Sequence, residues 1–241
     1  MNYGPRTMMV PPLSKINKVI IIVVAIFFVI NSVLKNFSIF VLEQYLGLNI
    51  NSFLEGHIYQ LLTYPIISQE GLLAFVFNLM ILWFIGSPLE SSWGVRRYLG
   101  FIFTTVIGSG MVYLLLAYAL LPKGYLLGSV TDIMGLTNAL LIASAIINPN
   151  QLFYFMFFFP MPAKYFCLLI VAIQLYIGIL TAGAVTAWVS LASMFFGVFY
   201  MWLVANKFFG IGEKRKSKAA KDRAKLQLVR GERDNNPRYW N

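Results

Sequence analysis

The chain has 241 residues and a formal net charge of +10, yet only 12% of its residues are charged and 59% are hydrophobic. Soluble globular domains carry roughly 25% charged residues, and here no charge interrupts residues 98–122, 133–163 or 165–206. A transmembrane helix needs about 20 predominantly apolar residues. These runs exclude a soluble protein and predict a helical membrane protein.

Six spans account for the hydropathy pattern: 17–36, 71–89, 98–121, 129–147, 163–181 and 184–207. No small-residue cleavage site follows the first span, so we expect it to stay uncleaved. The segment 37–70 is too polar to span and is expected at the membrane interface, as is the aromatic segment 151–162. The predicted fold class is therefore all-α, a bundle of six transmembrane helices.

The distribution of basic residues predicts the orientation. Lys and Arg mark cytoplasmic loops, and with both termini cytoplasmic only Lys35 and Lys123 fall on the outer side. The chain then divides into an N-terminal segment 1–15, a membrane domain 16–207 and a basic tail 208–241. We expect the tail to contact anionic membrane lipids, and an acidic cytoplasmic partner is a second interpretation. No base-reading motif is visible, which argues against nucleic acid.

Residue inventory limits the chemistry. There is one cysteine, Cys167, and one histidine, His57, so a disulfide framework and a His- or Cys-rich metal site are excluded. We expect neither a metal nor a cofactor.

The stretch from Ala74 to Gly100, AFVFNLMILWFIGSPLESSWGVRRYLG, resembles the second span and following turn of the rhomboid superfamily of intramembrane serine proteases. Weaker similarities lie at 60–65, at 148–149 with 159–165, and at 135–138, where the family carries Gly-x-Ser-Gly. The resemblance covers about residues 16–207 and implies a rhomboid-like six-span bundle.

The resemblance also implies where a catalytic site would lie. The family uses a Ser nucleophile in span four, a His base in span six, and an Asn and a His in span two that stabilise the oxyanion. In this sequence the corresponding positions are Thr137, Ser190, Asn78 and Ala74, and only Asn78 keeps the family's residue type. A threonine hydroxyl without a general base is a poor nucleophile. We therefore predict no catalytic residue.

Other side chains offer no substitute base. His57 lies in the interfacial segment, far from span four, and is interpreted as structural. Asp132 is five residues from Thr137 and off its helical face. Lysines lie only at the ends of the predicted spans and none lies in the middle of one, which argues against a Ser–Lys type of pair.

Small residues predict how spans four and six pack. In lipid, small side chains let helices approach closely, and each span carries such residues at helical spacing. They are Gly135, Ala139 and Ala143 in span four, and Thr186, Ser190, Ser193 and Gly197 in span six. Thr137, Asn138 and Asn78 are expected to face the bundle interior, bonded to one another or to water. Glu90 is expected at the cytoplasmic end, held by backbone amides or by Arg96 and Arg97.

These patterns favour a catalytically inactive rhomboid-like protein of a bacterial inner membrane. It would bind transmembrane segments of other membrane proteins and affect their assembly, stability or trafficking, as the resemblance to inactive rhomboids and derlins implies. Two alternatives remain open: an intramembrane protease with Thr137 as an atypical nucleophile, and a structural subunit of a larger membrane complex.

Overall fold

The computed structural model describes residues 12–37, 42–120, 129–131, 133–155, 159–181 and 185–204. The chain divides into two compact units, residues 1–200 and 201–241. The predicted tail at 208–241 lies outside the described residues, as do Lys123 and Asp132 and most of the N-terminal segment.

Helices dominate the described part of the chain. In chain order they are α1 (Lys15–Asn36), α2 (Leu42–Leu46), α3 (Ile50–Leu54), α4 (Gln60–Thr63), α5 (Leu72–Ile81), α6 (Ser87–Trp93), α7 (Val95–Leu120), α8 (Met134–Ile147), α9 (Ala163–Leu180) and α10 (Val185–Val204). A 3₁₀ turn, Tyr64–Ile66, follows α4, and a π-helical segment, Leu82–Gly86, joins α5 to α6. Leu72–Trp93 thus forms one helix, which we call span two.

Five of these helices are long and apolar enough to cross a membrane: α1, span two, α7, α9 and α10. They coincide with five of the six predicted spans to within a few residues in the described part of the chain. The sixth, α8, has 14 residues, whereas the prediction placed span four at 129–147. At 1.5 Å per residue it is roughly 21 Å long, which is shorter than the ~30 Å hydrocarbon layer.

Helix α8 is the most enclosed element of the bundle. Ten of its residues are buried, among them five that carry small side chains: Gly135, Ala139, Ala143, Ser144 and Ala145. In α9, by contrast, three residues are buried. Small side chains let neighbouring helices approach α8 on several sides, so its polar residues lie inside protein and not against lipid.

The aromatic segment between α8 and α9 forms a β-hairpin, which the sequence analysis did not predict. Strand β1 (Leu152–Phe155) pairs antiparallel with β2 (Phe159–Pro162), with Leu152 opposite Pro162. Phe and Tyr favour extended backbone, and the prolines of β2 are tolerated because a two-stranded sheet has only edge strands. An interfacial segment was expected here, without strands.

The segment between α1 and span two consists of short helices and turns. Leu48 pairs with Val130 in an isolated antiparallel bridge, which ties this segment to the chain just before α8. Several of its apolar side chains are exposed, including Leu54 and Ile58. That exposure is consistent with the interfacial position predicted for residues 37–70.

Candidate functional site

Thr137, the residue that the sequence analysis predicted at the nucleophile position, contacts Asn78 across the boundary between α8 and α5. Thr137 is fully buried, and its hydroxyl oxygen lies 2.9 Å from Oδ1 of Asn78. The same hydroxyl is 2.9 Å from the backbone carbonyl of Met134, one turn earlier in α8. A hydroxyl has a single hydrogen to donate, so the Thr137 hydroxyl donates to either Asn78 Oδ1 or the Met134 carbonyl oxygen at any one time.

A carboxylate fixes the orientation of the Asn78 side chain. Asn78 Nδ2 donates to Oε2 of Glu70 at 2.6 Å, and Glu70 lies just before α5, with its backbone N–H on Ser68 Oγ at 3.3 Å. Because an ionised carboxylate only accepts hydrogen bonds, the amide nitrogen must face Glu70 and the amide oxygen must face Thr137. Asn78 therefore presents an acceptor, not a donor, to the hydroxyl.

Small side chains of α8 and α10 meet closely beside this pair. A Cβ atom added at Gly135 would lie 2.6 Å from Ser193 Oγ and 3.7 Å from Ser190 Cα. One added at Gly197 would lie 3.3 Å from Ala139 Cβ. The predicted nucleophile and base positions, Thr137 and Ser190, thus lie on two helices that touch through glycine, alanine and serine.

Other residues of the predicted stripe and site differ in exposure. Ser190, Ser193 and Ala143 are buried, and the Ser193 hydroxyl donates back to the carbonyl of Val189 at 3.1 Å. Thr186 is exposed, so the packed part of the stripe in α10 begins at Ser190. The expectation for Thr186 was wrong because the stripe was extended by spacing alone beyond the contact with α8.

Ala74 and His57 are both exposed. Ala74 lies one turn before Asn78 on α5, at the position where the sequence analysis predicted the counterpart of the family's histidine. The His57 ring nitrogen Nδ1 lies 3.1 Å from the carbonyl of Ser52 within the interfacial segment.

Asn138 is buried, but its Nδ2 has no hydrogen-bond partner among the described residues. The sequence analysis expected Asn138 to bond with Thr137, Asn78 or water. Asn78 bonds to Glu70 and to Thr137, and the Thr137 hydroxyl also lies near the carbonyl of Met134. The amide nitrogen of Asn138 takes no part in these contacts.

Gln174 of α9 is a polar residue of the bundle interior that the sequence analysis did not single out. It is buried, and its Nε2 lies 3.8 Å from Sδ of Met134 in α8. An uncharged amide inside the run 165–206 does not alter hydropathy enough to stand out. A search for isolated Asn and Gln residues within predicted spans would have found it.

A second polar cluster lies at the other end of span two, around Glu90. This buried carboxylate accepts from the Ser14 hydroxyl and from the backbone N–H groups of Ile16 at 3.1 Å and Asn17 at 2.8 Å. It therefore caps the N-terminus of α1, where unpaired N–H groups and the helix dipole favour a negative charge. The sequence analysis allowed backbone amides or Arg96 and Arg97 as its partners, and the contacts described are with amides and a hydroxyl. Both arginine side chains are exposed.

The Asn17 side chain completes this Glu90 cluster. Its Nδ2 donates to the Leu82 carbonyl at 2.5 Å and to Ser87 Oγ at 3.0 Å, and its Oδ1 accepts from the Tyr98 hydroxyl at 2.9 Å. A Cβ atom at Gly86 would lie 2.7 Å from that hydroxyl, so only glycine fits there. The Leu82 carbonyl belongs to the π-helical segment Leu82–Gly86, where the regular α-helical geometry of span two is interrupted.

The described residues contain no group of three or more His, Cys, Asp or Glu side chains able to hold a metal ion.

The five long apolar helices, together with the buried polar contacts of the shorter α8, define an integral multi-pass membrane protein with an all-α transmembrane bundle. The family model of the Rhomboid domain matches residues 55–207. The match spans more than half of the chain, and the chain belongs to the rhomboid family. A comparison with curated proteins gives no significant match.

Proposed function

We propose that this rhomboid-family protein does not cleave peptide bonds. It binds transmembrane segments of other membrane proteins, its clients, and affects their assembly, stability or trafficking. The observation that carries the proposal is the hydrogen-bonded chain from Glu70 through Asn78 to Thr137.

Proteolysis needs two features at this position that the chain of contacts does not supply. A hydroxyl nucleophile needs a base that takes its proton, but the Thr137 hydroxyl donates to an amide oxygen or a peptide carbonyl. The developing oxyanion needs hydrogen-bond donors, but the Nδ2 group of Asn78 is bonded to Glu70. The polarity at Asn78 is the reverse of what an oxyanion requires.

The rival hypothesis is an intramembrane protease with Thr137 as nucleophile. Its base would have to come from the family's position in α10, which holds Ser190. A serine hydroxyl is not a base at neutral pH. This absence of a base favours the binding function.

Client binding would use the features that the fold retains. α8 is too short to span the membrane, and its polar residues lie among helices that are longer than it is. A segment entering between span two and α9, where the family has its lateral opening, would reach these polar groups. Polar groups within lipid favour partners that can hydrogen-bond with them.

The cellular setting is part of the same proposal. We place the protein in a bacterial inner membrane with both termini cytoplasmic, because the basic residues then lie almost entirely inside. Anionic membrane lipids would contact the tail at 208–241. Two alternatives to these proposals remain. The tail would bind an acidic cytoplasmic partner, or the protein would be a structural subunit of a larger membrane complex.

Site-specific photo-crosslinking in membranes tests client binding. A photoreactive residue replaces Ala74, which is exposed beside Asn78, and a matched control replaces Leu115, which is exposed on α7. We expect crosslinks from position 74 to transmembrane segments of intact membrane proteins, and few from position 115. Equal crosslinking at both positions, or crosslinks to cleaved fragments at position 74, would contradict the proposal.

A further inference from the structure

The side-chain amide of Asn78 lies between a titratable carboxylate and a buried hydroxyl. The carboxylate belongs to Glu70, which is half-buried and can therefore exchange a proton with water. Asn78 Nδ2 donates to Oε2 of Glu70 at 2.6 Å. On its other side, Asn78 Oδ1 lies 2.9 Å from the hydroxyl oxygen of the fully buried Thr137. The amide thus links a half-exposed charge to the interior of the bundle.

With Glu70 ionised, a single orientation of the Asn78 amide forms both of these hydrogen bonds. A carboxylate accepts hydrogen bonds and does not donate them, so it faces the amide nitrogen. This bond is charge-assisted, and such bonds are stronger than those between neutral groups. The amide oxygen then faces Thr137 and accepts from its hydroxyl. An ionised Glu70 therefore holds Asn78 in the orientation that the structure shows.

With Glu70 protonated, the opposite orientation of the amide is also fully paired. A protonated carboxyl group has an O–H to donate, and Asn78 Oδ1 accepts it when the amide turns over. Asn78 Nδ2 then donates to the Thr137 oxygen. The Thr137 hydroxyl donates in turn to the carbonyl of Met134, which lies 2.9 Å away in the observed structure. Because this carbonyl serves as a second acceptor, reversal leaves no group of the chain without a partner.

The helices around Glu70 bring few ionisable groups near it. The 3₁₀ turn that precedes Glu70 packs against α1, α4 and α8, and Glu70 itself leads into α5. No ionisable side chain occurs in α4, α5 or α8. In the 3₁₀ turn, the Tyr64 hydroxyl donates to a backbone carbonyl of α7 at 3.1 Å. Glu55 and His57, earlier in the same segment, are exposed.

The ionisable residue of α1 at this end of the helix is engaged elsewhere. Lys35 pairs with Glu43 at 3.6 Å. Asp132, just before α8, lies outside the described residues. Within the described part of the chain, Glu70 therefore forms no ion pair, and the Asn78 amide is the side chain that responds to its charge.

We propose that the protonation state of Glu70 switches the Asn78 amide between two orientations. With Glu70 ionised, Asn78 turns its oxygen towards Thr137, and with Glu70 protonated, it turns its nitrogen there. The pH at the membrane surface where Glu70 lies then sets the polarity of a buried site, which is a local charge change acting on a two-state element. Neither state provides Thr137 with a base. The switch itself does not require client binding, and only its effect on clients rests on the proposed function.

Nuclear magnetic resonance of the full chain in lipid nanodiscs tests the switch. The Asn78 amide is identified as the side-chain signal that is lost in Asn78→Asp. Its cross-peaks to side-chain protons of Glu70 and of Thr137 are compared as the pH is lowered from about 7.5 to about 4, across the range in which glutamates usually titrate. We expect the Glu70 cross-peak to be the stronger at neutral pH, and the ratio of the two cross-peaks to invert in acid.

Three variants identify the groups responsible. Glu70→Gln keeps the size of the side chain and removes the titration, so its Asn78 signals are expected to be independent of pH. Glu55→Gln is the matched control, because Glu55 is an exposed carboxylate of the same segment, and it should keep the wild-type response. Thr137→Val removes the hydroxyl that accepts from Asn78 in the reversed orientation, so the cross-peak ratio should no longer invert.

Two results would overturn the switch: wild-type Asn78 signals that do not change with pH, or a change of the same size in Glu70→Gln. All variants are first checked for the wild-type melting temperature and elution volume. If Glu70→Gln does not fold, the cross-peak ratios of wild type and of Thr137→Val decide. Failure of the switch leaves the proposed function standing, because crosslinking from position 74 does not depend on the orientation of Asn78. Failure of that crosslinking would likewise leave the switch standing.

Discussion

The two polar clusters of span two differ in how completely their groups are paired. Around Glu90, the carboxylate accepts three hydrogen bonds, and the Asn17 amide uses both its nitrogen and its oxygen. Around Asn78, the bonded chain ends at Thr137, and the neighbouring Asn138 has an amide nitrogen without a described partner.

The difference indicates separate tasks for the two clusters. A buried network whose members are all paired makes a structure rigid and unique. A buried polar group without a partner lowers stability, and such groups are expected where a protein binds or reacts. By this argument the Glu90 cluster holds α1, span two and α7 together, whereas the region around Asn78 and Asn138 is where we propose that a client binds.

Glu90→Ala is expected to cause the largest loss of stability. It would leave the Ser14 hydroxyl and the backbone N–H groups of Ile16 and Asn17 without their acceptor in a buried or half-buried site, and leaving one such donor unsatisfied typically costs about 1–3 kcal/mol. Unfolding by SDS in mixed micelles, followed by circular dichroism, measures the change. Glu55→Ala is the matched control, because Glu55 is exposed, and it should stay within about 0.5 kcal/mol of wild type. Equal effects of the two variants would remove the distinction between the clusters.

Gly197→Leu is expected to have the next largest effect. The added side chain would meet Ala139 and the ring of Phe101, since a Cβ there already lies 3.3–3.4 Å from both. Overpacking typically costs about 1–3 kcal/mol. Gly71→Ala is the control, because no atom lies within 4 Å of a Cβ at that position. An unchanged melting temperature for Gly197→Leu would mean that α8 and α10 do not pack through this face.

Asn138→Leu sharpens the comparison because we expect it to keep or raise the stability of the protein, whereas Glu90→Ala is expected to lower it. Replacing a buried amide whose nitrogen has no described partner with an apolar group of similar size removes a desolvation cost, so stability should stay level or rise by about 1 kcal/mol. Thermal unfolding in detergent, beside Glu90→Ala, measures it. A loss of more than about 1 kcal/mol would show that Asn138 has a structural partner and does not resemble a binding residue.

The fold was largely predictable from the sequence, because transmembrane spans follow from uninterrupted apolar runs. The start of α8 was not, since the predicted span was extended back to residue 129 through Val130 and Ile133, whereas the helix begins at Met134. The hairpin at 152–162 was missed because aromatic residues at a membrane interface also occur without strands.

A residue of the candidate site was predictable from the sequence only where its distance along the chain from a recognisable motif defines its position. The motif around Gly135 places Thr137, the stretch that begins at Ala74 places Asn78, and the count of seven residues back from Gly197 places Ser190. The bond from Glu70 to Asn78 joins residues eight apart, one of which precedes the helix, and no helical spacing predicts it. Gln174 carries no charge and lies within an apolar run, so only its contact with α8 marks it.

Peptidase activity in liposomes tests the central claim most directly. Purified wild type is incubated with a model transmembrane substrate of rhomboid proteases and with a fluorophosphonate probe, alongside Thr137→Ala and an active rhomboid protease as the positive control. The account predicts that wild type and Thr137→Ala give the same background, with no cleavage product and no labelling at Thr137. Substrate cleavage by wild type that disappears in Thr137→Ala would contradict it and establish Thr137 as a nucleophile.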